Sequence, residues 1–331
     1  MFRRAVLTAL AVLPLLAACG EKPMLGQEEP AIQPKPLQKK IEAIATRASP
    51  AALGVAVEDL ATRQLWAFNG DRPFLLGAAA RVPILAAVTA ETAAGRLDPR
   101  EAIAVRDVDL SPPPSAVADA WPGRRTYTVA ELESLARTGD NTALDLLTRR
   151  IGGPGAVNGW LDVQRINAVS VDRYRRQVLP DGLGLASFRV AWRGEPAWRR
   201  ALTTVPARDR SRAARERQAD PRDAAAPVGM VRLLEAFNNR EVFPTADARE
   251  LLGRDPGYLA SSLPTEAALW QAAGSERADL GVTPESHAVA IVELKDGRRV
   301  ALAVFLTGST ATVAEREAVI AAVGRAVLDD F

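Results

Sequence analysis

Few residues in this 331-residue chain could carry covalent or metal chemistry. There is one cysteine, Cys19, and one histidine, His287. A disulfide framework and a Cys/His zinc site are therefore excluded, and a histidine-dependent triad has a single candidate, beside Ser286. Of five lysines, four fall within residues 22–40 and Lys295 stands alone beyond them, so no Ser-x-x-Lys occurs anywhere. Acyl transfer on a serine needs a nucleophile, a base, donors for the oxyanion and, for turnover, a base that activates water. None of the short signatures for that chemistry is intact. His287 reads as structural, and Asp140 and Asn141 as side chains that bond loop backbone.

The elements that would position such a site belong to a globular chain with 48% hydrophobic and 25% charged residues. Its length suits one two-lobed unit or two domains. The formal charge is +2, and residues 1–18 hold Arg3 and Arg4 without an acid. From Cys19 onward basic and acidic residues balance, which speaks against a nucleic-acid binder.

Residues 1–18 combine Arg3-Arg4 with an apolar run that is too short to span a bilayer, the pattern of an export signal. The run ends Leu16-Ala17-Ala18-Cys19-Gly20, which resembles a bacterial lipobox with cleavage before Cys19 and acylation of its thiol and new amino group. Two or more acyl chains anchor stably, at about 0.8 kcal/mol per buried methylene. Gly20 after the cysteine resembles lipoproteins sorted to an outer membrane. Residues 19–37 read as a flexible tether, and the folded domain is expected over residues 38–331.

Leu37, Ile41, Ile44 and Ala45 recur at helical spacing, and the runs at 53–60 and 64–68 read as paired strands. Residues 230–237 and 246–252 read as amphipathic helices. Lys295-Asp-Gly-Arg298 between two apolar runs marks a hairpin, followed by a closing helix.

Several segments in order resemble class A β-lactamases and related serine hydrolases of the penicillin-binding fold. Phe74-Leu-Leu-Gly-Ala-Ala-Ala-Arg-Val-Pro-Ile-Leu resembles the helix that carries Ser-x-x-Lys, with Ala78 at the serine position and Arg81 at the lysine position. Thr138-Gly-Asp-Asn resembles the Ser-Asp-Asn loop, with Gly139 replacing the serine and Asp140 and Asn141 retained. Asp172-Arg173-Tyr174 and Asp220-Pro-Arg-Asp223 resemble the two ends of the omega loop. That alignment places Arg175 at the glutamate position and makes Arg173 and Asp223 the loop-closing pair. Ala272-Ala273-Gly274 stands for Lys-Thr-Gly, and Ser275 beyond it reads as a strand or turn hydroxyl.

The resemblance implies an α/β (α+β) two-lobed fold: an antiparallel sheet flanked by N- and C-terminal helices, plus an all-helical lobe. The α/β lobe is expected at about 38–70 and 256–331, and the helical lobe at about 71–255. An insertion at about 182–218 enlarges the omega loop. Residues 173–222 carry thirteen arginines against five acids, with Trp192 and Trp198 among them. The excursion reads either as a solvated helical segment or as a docking surface for an anionic envelope partner. Tripling a loop's length costs about 1 kcal/mol of closure entropy, so the expansion is tolerable.

Arginine stays protonated, so neither Arg81 nor Arg175 can act as a general base. Two guanidiniums side by side in the pocket would need Asp140, another acid or a bound anion beside them, and a carboxylate-bearing peptide is one such ligand. The reading is thus a pseudoenzyme: a periplasm-facing, lipid-anchored binding or scaffolding module without cofactor or metal. The alternative is a divergent serine hydrolase acting on β-lactams or peptide amides through another nucleophile.

Overall fold

The computed structural model describes residues 32–238, 241–244, 248–254, 257–329 and 331. The expected signal segment, Cys19 and most of the expected tether lie outside the described residues. The ordered chain begins earlier than residue 38. Ile32 is fully buried, and its N–H and C=O both bond the Gln64 side chain, at 3.1 and 3.0 Å. Helix α1 spans Pro34–Ala48, so prolines that read as linker residues instead occupy its first turn, where a missing N–H costs nothing.

Strands β1 (Ala52–Asp59) and β2 (Leu65–Phe68) follow as an antiparallel pair. A two-residue strand β3 (Phe74–Leu75) leads into a 3₁₀ turn at Gly77–Ala80 and helix α2 (Arg81–Ala93). Pro83 is accommodated because it lies in the first turn of α2. The helical region continues through β4 (Ala102–Ala104), α3 (Ala116–Ala120), β5 (Thr126–Thr128), α4 (Val129–Arg137), α5 (Asn141–Arg150) and α6 (Pro154–Val163).

The enlarged loop carries α7 (Arg175–Asp181), α8 (Glu195–Thr203) and α9 (Ala207–Ala219), and ends at β6 (Ala224–Ala225), which pairs with β3. It is helical but not a solvated excursion. Phe188, Trp192 and Trp198 stack on one another with ring centroids 5.8–6.3 Å apart, and Trp198, Ala213 and Arg217 are buried.

Helix α10 (Pro227–Ala236) packs on β1 and on the last strand of the sheet, although its sequence lies within the segment assigned to the helical lobe. Of the helix expected at 246–252, residues 246 and 247 lie outside the described residues, and Ala248–Leu251 form a 3₁₀ turn. Gly253, in the left-handed region at φ +85°, ends it.

Strands β7 (Ala268–Ser275), β8 (Thr283–Glu293) and β9 (Arg299–Ser309) complete a five-stranded antiparallel sheet in the order β2-β1-β9-β8-β7. Helix α11 (Val313–Leu328) closes the chain against α1. The apolar runs of β8 and β9 are continuous because both faces of the sheet are covered. Ala301, Ala303 and Phe305 enter the core shared with α2 and α10, while Val300, Leu302 and Val304 enter the core under α1 and α11. One core thus fixes the start of α2 against β7 and β8, and that junction carries the candidate site.

Candidate functional site

The 3₁₀ turn before α2 presses Gly77 and Ala78 against β8. Gly77 adopts φ +46°, and a Cβ there would lie 2.3 Å from the Glu285 side chain, so only glycine fits. Glu285 is fully buried and accepts the backbone N–H of Ala78 at 3.1 Å. Its other oxygen lies 2.9 Å from His287 Nε2, and His287 packs on Phe305 with centroids 4.5 Å apart. His287 therefore belongs to the buried face of β8, away from the cavity. Arg81, the first residue of α2, reaches across to β7 and donates to the Ala273 carbonyl at 2.9 Å. Its guanidinium lies under 4 Å from where Cβ atoms on Gly139 and Gly274 would stand.

Asp140 does not neutralise the guanidiniums. It is the N-cap of α5, accepting from Ala143 N–H at 2.9 Å, Ser115 Oγ at 2.8 Å and Val117 N–H at 3.0 Å. Asn141 donates to the Pro112 carbonyl and accepts from Arg175 Nε at 3.1 Å. The start of α7 is held by Asp145, whose carboxylate takes the N–H groups of Arg175 and Arg176 and the Ser111 hydroxyl. Burial pushes Asp145 up to about 6, against the pull of those hydrogen bonds.

The acid that balances the site is Glu276, just beyond β7. Both terminal nitrogens of Arg217 bond its carboxylate, at 2.6 and 2.7 Å, and Arg175 Nη2 lies 3.5 Å from it. Burial alone would raise Glu276, but the Arg217 and Arg175 guanidiniums outweigh it and hold the carboxyl at about 2. Arg173 Nε donates to Asp223 Oδ2 at 2.6 Å, while Asp223 Oδ1 accepts the N–H groups of Asp172 and Arg173, so the loop ends are tied together.

On β7, Ala272 is buried with Trp270 on the side facing α2, while Ala273, Gly274 and Ser275 line the cavity. Ser275 Oγ sits in a chain of hydroxyls, 3.0 Å from Tyr258 OH and 2.6 Å from Ser286 Oγ, which in turn accepts from Arg316 Nε. Burial pushes the Tyr258 phenol up, so it remains a neutral hydroxyl and offers Ser275 no base.

A family model described as the beta-lactamase enzyme family matches residues 36–331. The chain belongs to the beta-lactamase enzyme family. A β-lactamase of Rhodobacter capsulatus is 31% identical over 107 residues, covering 32% of this chain and about a third (36%) of that relative's length. The β-lactamase VEB-1 of Pseudomonas aeruginosa is 21% identical over 300 residues, covering 87% and 88% of the two chains. An ancestral class A β-lactamase structure superposes with a TM-score of 0.68 at 24% identity, over 89% of this chain and all of that one, which shows the shared fold.

In this member of the family, Ala78, Arg81, Gly139, Asn141, Arg175, Ala273 and Gly274 meet in one cavity of about 1150 Å³. Asp140 and Ala272 stand behind its wall. Residue 78 offers no nucleophile, its N–H is engaged by the Glu285 carboxylate, and the charged side chain that follows it on the same turn is the Arg81 guanidinium. The arginines at 81 and 175 can bind anions but cannot accept a proton, and the one carboxylate at the start of α2, Glu285, is engaged by the Ala78 N–H and lies beside His287. Among the described residues no cluster of three or more His, Cys, Asp or Glu could hold a metal, and no helix is long and apolar enough to cross a membrane.

Sequence reasoning missed Glu276, Glu285, Arg217, Tyr258 and Arg316. Glu276 follows the last residue of β7 and Glu285 lies near the start of β8, and an acid at each end of the connection between two apolar runs was the available signal. Arg217 carried none, because the sequence does not show which of thirteen arginines folds inward.

Proposed function

We propose that this family member is a non-catalytic binding module of the bacterial envelope, with its cavity as the ligand site. The observation that carries the reading is the start of α2: Ala78 stands where the resemblance puts the serine, and Arg81 stands where it puts the lysine and bonds the Ala273 carbonyl. Serine acyl transfer requires both a nucleophile and a base within hydrogen-bond reach, and the residues at 78 and 81 supply neither. Arg175, at the position that would activate water, is engaged by Asn141 and Glu276.

Anchoring follows from the sequence Leu16-Ala17-Ala18-Cys19-Gly20, which supports acylation at Cys19 and a periplasm-facing domain on the outer membrane. The cavity lining holds seven arginines and three carboxylates, and that excess favours an anionic ligand, such as a peptide carboxylate. Incubation with a penicillin and a cephalosporin, read by intact mass beside a chromogenic hydrolysis assay, tests the reading. Unmodified protein and no turnover support it; a stoichiometric adduct or turnover refutes it and points to a nucleophile such as Ser275.

A further inference from the structure

The enlarged loop does more than cover the site. Four ion pairs join it to the β7–β8 connection: Arg217 and Arg175 to Glu276, Arg210 to Asp279 at 2.8 Å, and Glu195 to Arg277. The two segments together form a roofed compartment continuous with the site. On α9, Ser211, Ala214, Arg215 and Gln218 face it at i, i+3, i+4 and i+7 spacing.

The compartment is amphipathic. Five large apolar side chains stand exposed on the described surface, and three of them, Leu280, Val282 and Val313, line this one cavity at 45%, 36% and 57% exposure. Trp198 and Leu202 of α8 extend the apolar wall inward. Exposed apolar side chains scattered singly are ordinary, whereas a cluster around a concavity marks a binding site. On the lining of the same cavity Arg215 is exposed and has no carboxylate within ion-pair distance among the described residues. The three lining carboxylates are already committed to the roof's own ion pairs, so the surplus charge of the lining is positive.

We propose that the compartment binds a single-chain amphiphile with an anionic head, its acyl chain along Leu280, Val282, Val313 and Trp198 and its carboxylate or phosphate beside Arg215. The proposal rests on the reading of this protein as a binding module and names the class of ligand. It differs from a short peptide carboxylate in needing the apolar lip as well as the charge.

The test uses the full-length chain carrying Cys19→Ser, so that no acyl group of its own competes. Dansyl-labelled undecanoic acid is the fluorescent probe, and dodecanoate, dodecyl phosphate, dodecanol, acetate and inorganic phosphate are the competitors. Saturable one-to-one binding is expected, displaced at least about tenfold better by dodecanoate or dodecyl phosphate than by the other three. Whichever of those two displaces better identifies the head group. Leu280→Asp and Val313→Asp, both at exposed positions, and Arg215→Glu should each weaken the probe by about tenfold or more with unchanged melting temperature. Absence of saturable binding, equal displacement by dodecanol, or unchanged affinity in all three variants would overturn the proposal. A β-lactam adduct in the same preparation would instead count against the non-catalytic reading, so the two failures are separable.

Discussion

Glu285 Oε1 accepts the backbone N–H of Ala78 at 3.1 Å. In acyl-transfer sites the nucleophile's own N–H commonly helps hold the developing oxyanion, and a carboxylate on that donor both occupies it and repels negative charge. A serine at position 78 and a lysine at position 81 should therefore not suffice for acylation. The variant Ala78→Ser/Arg81→Lys is expected to react with a penicillin at least about 100-fold more slowly than the triple variant that adds Glu285→Ala. Adduct formation followed by mass spectrometry measures both rates, and equal rates would remove Glu285 from the account.

Arg217, buried, and Glu276, with its side chain 13% exposed, form a bidentate pair that ties α9 to the end of β7. Removing one partner leaves the other charge buried, at a cost of about 3–5 kcal/mol, whereas replacing both with apolar residues is often close to neutral. Arg217→Ala should lower stability by about 3 kcal/mol and speed hydrogen exchange over residues 195–218. Arg217→Met/Glu276→Leu should recover most of that stability. Urea unfolding of the two variants checks the order.

Asp145 and Asp109 should impose opposite pH dependences. Burial raises Asp145 to about 6 from 3.8, so the folded state holds its proton more tightly than the unfolded chain does. Its contribution to stability is largest below about pH 4 and is lost as pH rises through 6, on the order of 3 kcal/mol in all. For Asp109 burial pushes up, but hydrogen bonds from Arg106 and Arg149 win and hold it at about 2. Its contribution is present above about pH 4 and is lost as pH falls through 2. Asp145→Asn should flatten the decline in urea midpoint between pH 4 and 6 and leave the acid limb in place.

The fold was legible where periodicity and order sufficed. The apolar runs of β8 and β9, the Asp-Gly turn between them and the Gly-Asp-Asn start of α5 all carry local signals that the tertiary structure obeys. Pro34 and Pro36 misled because proline marks both linkers and helix starts, and only the burial of Ile32 decides between them. The site was half legible. Ala78, Arg81 and Arg175 could be placed by their flanking segments, but their partners come from β8, α9 and the β7–β8 connection, brought in by long-range pairing that no local pattern encodes. Of the counter-charges that the sequence left open, Asp140, another acid or a bound anion, the structure supplies another acid, Glu276, while Asp140 bonds loop backbone as the cap of α5.

The Gly139–Asp140 step sets a further expectation. Gly139 adopts φ +90°, so Gly139→Ser, which would restore the hydroxyl of the related motif, should cost about 1 kcal/mol in backbone strain. Asp140→Ala should cost more, about 2 kcal/mol, because it removes the α5 cap together with the bonds to Ser115 and Val117. Thermal unfolding of the two variants tests the ranking.

The central claim, that the site binds without reacting, is tested most directly by intact mass of the folded protein after long incubation with a penicillin and a cephalosporin, with chromogenic β-lactam hydrolysis followed in parallel. The account predicts unmodified mass and no turnover above buffer. A stoichiometric adduct, or hydrolysis that scales with protein concentration, would contradict it, and the modified residue would identify the nucleophile.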